Sequence, residues 1–201
     1  MYKVYGDIYS GNCYKVKLLL TQLGIEHAWE PLNVVDGDTR SERFLAMNPN
    51  GKIPLLELPD GTHLPESGAI LWYLAEGSAL LPGERLARAH VLQWMFFEQY
   101  SHEPYIAVAR FMVRYLQQAE SHRELLAEKQ QRGYRALDVM ENHLRRHDFF
   151  VAAYSIADIA LYAYTHVADE GNMSLRDYPH IGAWLERVKA QPGHITMSQG
   201  A

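Results

Sequence analysis

This chain has one cysteine, Cys13, which rules out an intramolecular disulfide, a Cys-x-x-Cys redox pair and a thiolate zinc cluster, since each needs at least two. Positive charge is also short. Lys and Arg total 19 against 24 Asp and Glu, for a formal net charge of −5 and an isoelectric point near 6.0, so nothing electrostatic favours a nucleic acid or an anionic membrane as partner. No stretch approaches the ~18 unbroken apolar residues of a membrane-crossing helix. The opening residues Met1 to Gly6 lack a basic segment followed by a long apolar one, and the expected location is cytoplasmic, in soluble form. Repeats and low-complexity segments are missing too. His143 and His147 stand at a metal-capable i, i+4 spacing, but no third ligand is signposted and Arg145 and Arg146 repel a cation; no metal is expected. What is present is an ordinary globular composition, 48% hydrophobic and 21% charged over 201 residues, enough for one large domain or two small ones.

In chain order, Tyr2 to Tyr5 reads as a first strand ended by Gly6-Asp7. Ser10-Gly11-Asn12 then forms a loop before a helix whose Val16, Leu19, Leu20 and Leu23 share a face, with Gly24 as its stop. Glu26 to Val34 reads as a second strand. Thr39-Arg40-Ser41-Glu42 fits a capping box that opens a short helix through Met47. Ile53 to Leu58 and the segment after the turn Pro59-Asp60-Gly61-Thr62 form a hairpin, and a helix follows Glu66. The order is βαβαββα. Beyond a break at 77–84 the patterns are helical throughout: a helix from near Glu84 that Pro104 kinks or splits before Phe111 to Leu116; a charged helix over 120–146 with Tyr134, Leu137, Met140 and Leu144 inward; one opened by Ser155-Ile156-Ala157-Asp158; and a last one with Ile181, Trp184, Leu185 and Val188 on one face.

The most informative stretch is Asn48 to Ile70, NPNGKIPLLELPDGTHLPESGAI. A proline in a strand removes a ladder donor, so Pro54 belongs at the strand's first residue, on an edge, or on a bent and even cis bond. Such a bend leaves the backbone of Ile53 open to a partner. Ser67 suits the cap of the next helix, and the N–H groups of a helix start attract a carboxylate. Glu66 beside it is placed to hold an ammonium. An open backbone edge, an anion site and a carboxylate together suit a small peptide-like ligand with an α-amino acid end.

The runs NPNGKIPLLEL and ESGAI, at this spacing, closely resemble the glutathione transferase superfamily, in its thioredoxin-like N-terminal domain. The run Ser10-Gly11-Asn12-Cys13-Tyr14-Lys15-Val16 is similar to the S-x-x-[SC]-x-[KR]-V segment of serine-type members, and Ser155 to Asp158 resembles the folding signature of the family's second domain. The resemblance covers Met1 to about Gln191. It implies an α/β thioredoxin-like glutathione-binding domain (1–77), a linker (78–84) and an all-α helical domain (85–201), in a homodimer to which the aromatics Trp72, Tyr73, Trp94 and Phe97 contribute exposed surface. The implied activity is conjugation of glutathione, as co-substrate, to small, partly apolar electrophiles in detoxification. Alternatives are a glutathione-dependent thiol reductase or isomerase, or a non-enzymatic binding protein of the same fold.

Residue by residue, the resemblance implies that Ser10 stabilises the glutathione thiolate with Asn12 as helper. Cys13, Tyr9 and Tyr5 are the rivals in the same region. Glu66 and Ser67 are expected on the γ-glutamyl end, Ile53 with Pro54 on the cysteinyl backbone, and Lys52 assisted by Arg40 on the glycyl carboxylate. Tyr9, Tyr100, Tyr105 and Phe111 are expected to line the electrophile pocket. The physiological electrophile is not written in the sequence.

Overall fold

A computed structural model describes residues 1–199, and the chain separates into two compact units, Met1–Ser78 together with the segment from Pro192 onward, and 79–191. The expected helical domain, 85–201, is therefore corrected at its end. Residues 192–199 instead lie with the first unit, where the Tyr14 hydroxyl donates to the Ile195 carbonyl at 2.7 Å.

The first unit is built on a four-stranded sheet in the order β2-β1-β3-β4. β1 (Tyr2–Gly6) runs parallel to β2 (His27–Pro31) and antiparallel to β3 (Leu55–Glu57), which forms the hairpin with β4 (His63–Pro65). Side chains alternate across each strand. Val4 and its register partner Leu56 are fully buried on one face, while Tyr5 and Leu55 join Phe44 of α2 (Glu42–Met47) on the other. α1 (Gly11–Gln22) and α3 (Ser67–Ala75) pack together. Gly6 sets how closely α1 approaches β1, because a Cβ there would sit 2.6 Å from Cys13 Sγ. Ser10 caps α1, its Oγ accepting from the Cys13 N–H at 3.4 Å, and the left-handed Gly24 (φ 64°) follows its end.

Three local expectations are corrected. The second strand stops at Pro31 rather than running to Val34, since Pro31 has no N–H for a ladder and Asn33 Oδ1 turns the chain by accepting from the Val35 N–H at 2.9 Å. The cap of α2 is Ser41, whose Oγ accepts from the Phe44 N–H at 3.3 Å; Thr39 lies in the preceding 3₁₀ turn Asp38–Arg40. Ser67 is not the cap of α3 but its first residue; Glu66, at φ 71°, holds the cap position without a side-chain bond to the helix.

The second unit contains α4 (Arg85–Phe97), α5 (Glu103–Arg110), α6 (Arg123–Leu144), α7 (Ile156–Thr165) and α8 (Pro179–Lys189). The break expected at Pro104 is present as a change of helical winding just ahead of it, which divides α4 from α5. A wide π-turn over Glu98–His102 absorbs its missing N–H, and a second follows at Phe111–Tyr115. α6 is shorter than expected, and its buried stripe is Leu126, Gly133, Ala136, Leu137, Met140 and Leu144. Tyr134 sits half out of it, because its hydroxyl accepts from the Ser174 N–H at 2.9 Å. α7 is opened by the Ser155–Asp158 capping box, and Ile181, Trp184, Leu185 and Val188 of α8 are buried as their spacing predicts. Trp94 is also core, edge-on to Phe97 and His143. Of the four aromatics expected at the surface Tyr73 is exposed, Trp72 and Phe97 are half-buried and Trp94 is buried; Tyr9, Phe96 and Tyr100 are the other exposed aromatics among the described residues.

Candidate functional site

Two helix starts and one loop of the first unit carry the candidate residues. At the start of α1, Ser10 is held by its own N–H on the Asp7 carbonyl at 3.1 Å, with its side chain turned into the first helical turn. Asn12, at the second helical position, has its Oδ1 2.7 Å from Lys15 Nζ and 3.4 Å from Ser67 Oγ. A lysine ammonium only donates, so the carboxamide oxygen, not its nitrogen, must face it. Asn12 thereby ties the start of α1 to the start of α3. Ser67 is 6% exposed, whereas the carboxylate of Glu66 stands in solvent.

The third part is the loop before β3. Asn48, 3% exposed, donates from Nδ2 to the Lys52 carbonyl at 2.7 Å and accepts from the Asn50 N–H at 3.2 Å. That bracing leaves the Lys52 side chain exposed. Gly51 takes φ 62°, and a Cβ there would lie 2.6 Å from Arg40 Nη1, so the Arg40 guanidinium lies against the residue next to Lys52. The loop ends in a cis Ile53–Pro54 peptide, and ladder pairing begins only at Leu55.

The rival thiolate stabilisers fare differently. Cys13 is fully buried between α1 and the β1–β2 floor, and burial pushes its thiol up to about 12, against a smaller opposing pull from the Ser10 hydrogen bond. A thiol so placed stays protonated and out of reach near neutral pH. Tyr5 is 3% exposed and its hydroxyl donates to Glu57; burial first, then that carboxylate, raises its phenol above the usual range. Tyr9 is 44% exposed, its N–H on Asp7 Oδ1 at 2.8 Å.

In the second unit, Tyr100 is 83% exposed on the first π-turn. The Tyr105 hydroxyl accepts from Arg132 Nη1 at 3.2 Å under a ring that faces Lys129 and Arg132. Phe111 stacks on Tyr115 at 5.3 Å. His143 and His147 stack on one another at 4.2 Å, and burial lowers the His143 pKa. Among the described residues no group of three or more His, Cys, Asp or Glu is arranged to hold a metal ion, and no helix is long and apolar enough to cross a membrane.

Comparison with known proteins gives the family of the chain. Residues 9–76 match the family model described as "Glutathione S-transferase, N-terminal domain", and residues 95–192 match "Glutathione S-transferase, C-terminal domain". The chain belongs to the glutathione S-transferase family. It is 59% identical to a glutathione S-transferase from Pseudomonas fluorescens whose crystal structure superposes with a TM-score of 0.96, covering 98% of each chain. Glutathione S-transferase 3 of Zea mays is 30% identical, over 94% of this chain and 90% of its own. Disulfide-bond oxidoreductase YfcG of Escherichia coli is 29% identical, over 90% of this chain and 87% of its own. The thioredoxin-like first unit and the helical second unit are the glutathione S-transferase fold.

The residue that sequence reasoning passed over is Lys15. It was read only as a letter of the α1 motif, yet its side chain is 1% exposed and grips Asn12. The available signal was the i, i+3 spacing of Asn12 and Lys15, which puts both on one face of the helix.

Proposed function

We propose that this family member is a glutathione transferase: it binds glutathione in its first unit, holds it as the thiolate, and adds it to an electrophilic carbon of a small, partly apolar substrate. The observation that carries this reading is the joining of two helix starts through Asn12, because it sets hydroxyl and amide donors of α1 beside an anion-attracting start of α3. A free thiol with a pKa near 8.5 is only a few per cent ionised at neutral pH, so donors aimed at the sulfur supply what the reaction needs. Ser10 donates to the sulfur, with Asn12 assisting. Glu66 takes the γ-glutamyl ammonium, and Ser67 with the first N–H groups of α3 takes its carboxylate. The backbone of Ile53, ahead of the ladder at the Pro54 bend, pairs with the cysteinyl unit, and Lys52 with Arg40 neutralises the glycyl carboxylate. Tyr9, Tyr100, Tyr105 and Phe111 meet the electrophile.

The protein works as a cytoplasmic homodimer in detoxification. The exposed Leu86 and Phe96 of α4 support pairing of two copies. A second reading, glutathione-driven disulfide reduction, is favoured by the likeness to the oxidoreductase YfcG; with Cys13 buried, the exchange would run between glutathione and substrate rather than through the protein's own thiol. Assays of one preparation with halonitrobenzenes, epoxides, hydroperoxides and disulfides test both. Conjugation is expected. Turnover of disulfides alone moves the assignment to the second reading, and tight glutathione binding with no turnover leaves a binding protein.

A further inference from the structure

We infer that Lys15 is a positioning residue for thiolate activation: it locks the Asn12 carboxamide with its oxygen turned inward, so that the N–H₂ is the group Asn12 offers to a sulfur at the start of α1. The inference rests on the transferase reading above. Its basis is the pair of contacts on Asn12 Oδ1, Lys15 Nζ at 2.7 Å and Ser67 Oγ at 3.4 Å. Both partners approach as donors, and turning the amide over would set its N–H₂ against an ammonium that has no lone pair. The Lys15 side chain is 1% exposed, so water does not compete well for that ammonium. An amide free to turn would spend part of its time presenting oxygen to the thiolate, which repels it; a locked amide presents only a donor. The bond to Ser67 adds a second consequence. When the γ-glutamyl carboxylate takes the Ser67 hydrogen, the Lys15 contact at 2.7 Å still holds the Asn12 oxygen.

The test is ultraviolet titration of glutathione bound to the native protein and to Lys15→Met, Lys15→Gln, Asn12→Ala and the Lys15→Met/Asn12→Ala double variant. Lys15→Met should raise the bound thiol's pKa by about one unit, roughly a tenfold loss of thiolate at neutral pH. Lys15→Gln, which keeps an N–H donor for the Asn12 oxygen but no charge, should titrate close to native. In the Asn12→Ala background, Lys15→Met should add little, because the group it positions is gone. A Lys15→Met curve identical to native overturns the inference. So does an equal shift in both backgrounds, which would make Lys15 a simple source of positive field, and so does a Lys15→Gln shift as large as that of Lys15→Met. If the methionine variant does not fold, Lys15→Leu takes its place in both backgrounds, with the same outcomes supporting or overturning the inference. A native protein whose bound glutathione shows no thiolate at neutral pH overturns the transferase reading as well, whereas native thiolate with an unresponsive Lys15 overturns this inference alone.

Discussion

Replacing Asp158 by alanine should destabilise the second unit heavily, and by an amount that depends on pH in a stated direction. The Asp158 carboxylate is fully buried and accepts from the Phe150 N–H at 3.1 Å, the Ser155 N–H at 3.0 Å, the Ser155 hydroxyl at 3.2 Å and Trp184 Nε1 at 3.0 Å. It thus pins the loop before α7, the cap of α7 and the indole of α8 at one point. Alanine strands three buried N–H donors, each worth about 1–3 kcal/mol when left unpaired, and partial relaxation brings the total to roughly 3–5 kcal/mol. Burial nevertheless outweighs those bonds and raises the carboxyl from its ordinary 3.8 to about 6. The folded state therefore holds this proton more tightly than the unfolded chain. The contribution is fully present below about pH 3.8 and is lost as pH rises through 6. Going from pH 7 to pH 5 should return about 1.4 kcal/mol to the native protein and nothing to Asp158→Ala. Urea unfolding followed by tryptophan fluorescence at both pH values measures the gap between the two proteins. It should be wider at pH 5. A gap of less than about 1 kcal/mol, or one that is wider at pH 7, would refute the reasoning.

Glu66→Ala should weaken glutathione binding by about 1.5–3 kcal/mol in calorimetric titration, by leaving an ammonium without its charged partner, with Ser67→Ala acting in the same direction through the carboxylate. Unchanged affinity in both would put the ligand elsewhere. Cys13 should resist thiol reagents in the folded protein at neutral pH and react at once in urea, and Cys13→Ala should leave conjugation untouched; rapid labelling of the native state would contradict the burial argument. Sedimentation should find a dimer at micromolar concentration, and Phe96→Glu should dissociate it or shift it toward monomer, since a carboxylate would then need to be desolvated in the contact. A native monomer with full activity would remove the pairing proposal.

Much of the fold could be read from spacing alone. Ser155 and Asp158 stand where a capping box needs them, the apolar run at Ile53 before a Pro-Asp-Gly turn gives the hairpin, and Ile181, Trp184, Leu185 and Val188 mark one face of α8. Elsewhere a pattern had two solutions and tertiary packing chose. In Trp94-Met95-Phe96-Phe97 all four residues cannot face one core; packing took Trp94 and Met95 inward and left Phe96 exposed. The π-turn after Phe97 then changed the phase that a regular helix would have carried to Pro104. Ser67 looked like a cap because serine favours that position, but the positive φ of Glu66 moved the cap back by one residue. That Ser10, Glu66 and Ser67 lie at the starts of helices was legible, because helix starts have a sequence signature. The burial of Lys15 was not, since a lysine reads as surface unless its partner is known.

The central claim is that bound glutathione is held as a thiolate by the hydroxyl of Ser10, and ultraviolet titration of the bound thiol in the native protein and Ser10→Ala tests it most directly. The native protein should ionise glutathione about two units below the free thiol, near 8.5 in solution, a difference of roughly 2.7 kcal/mol. Ser10→Ala should return the pKa most of the way, with affinity nearly intact and conjugation recovering as pH rises. Identical titration curves for the two proteins would contradict the claim and remove Ser10 from the mechanism.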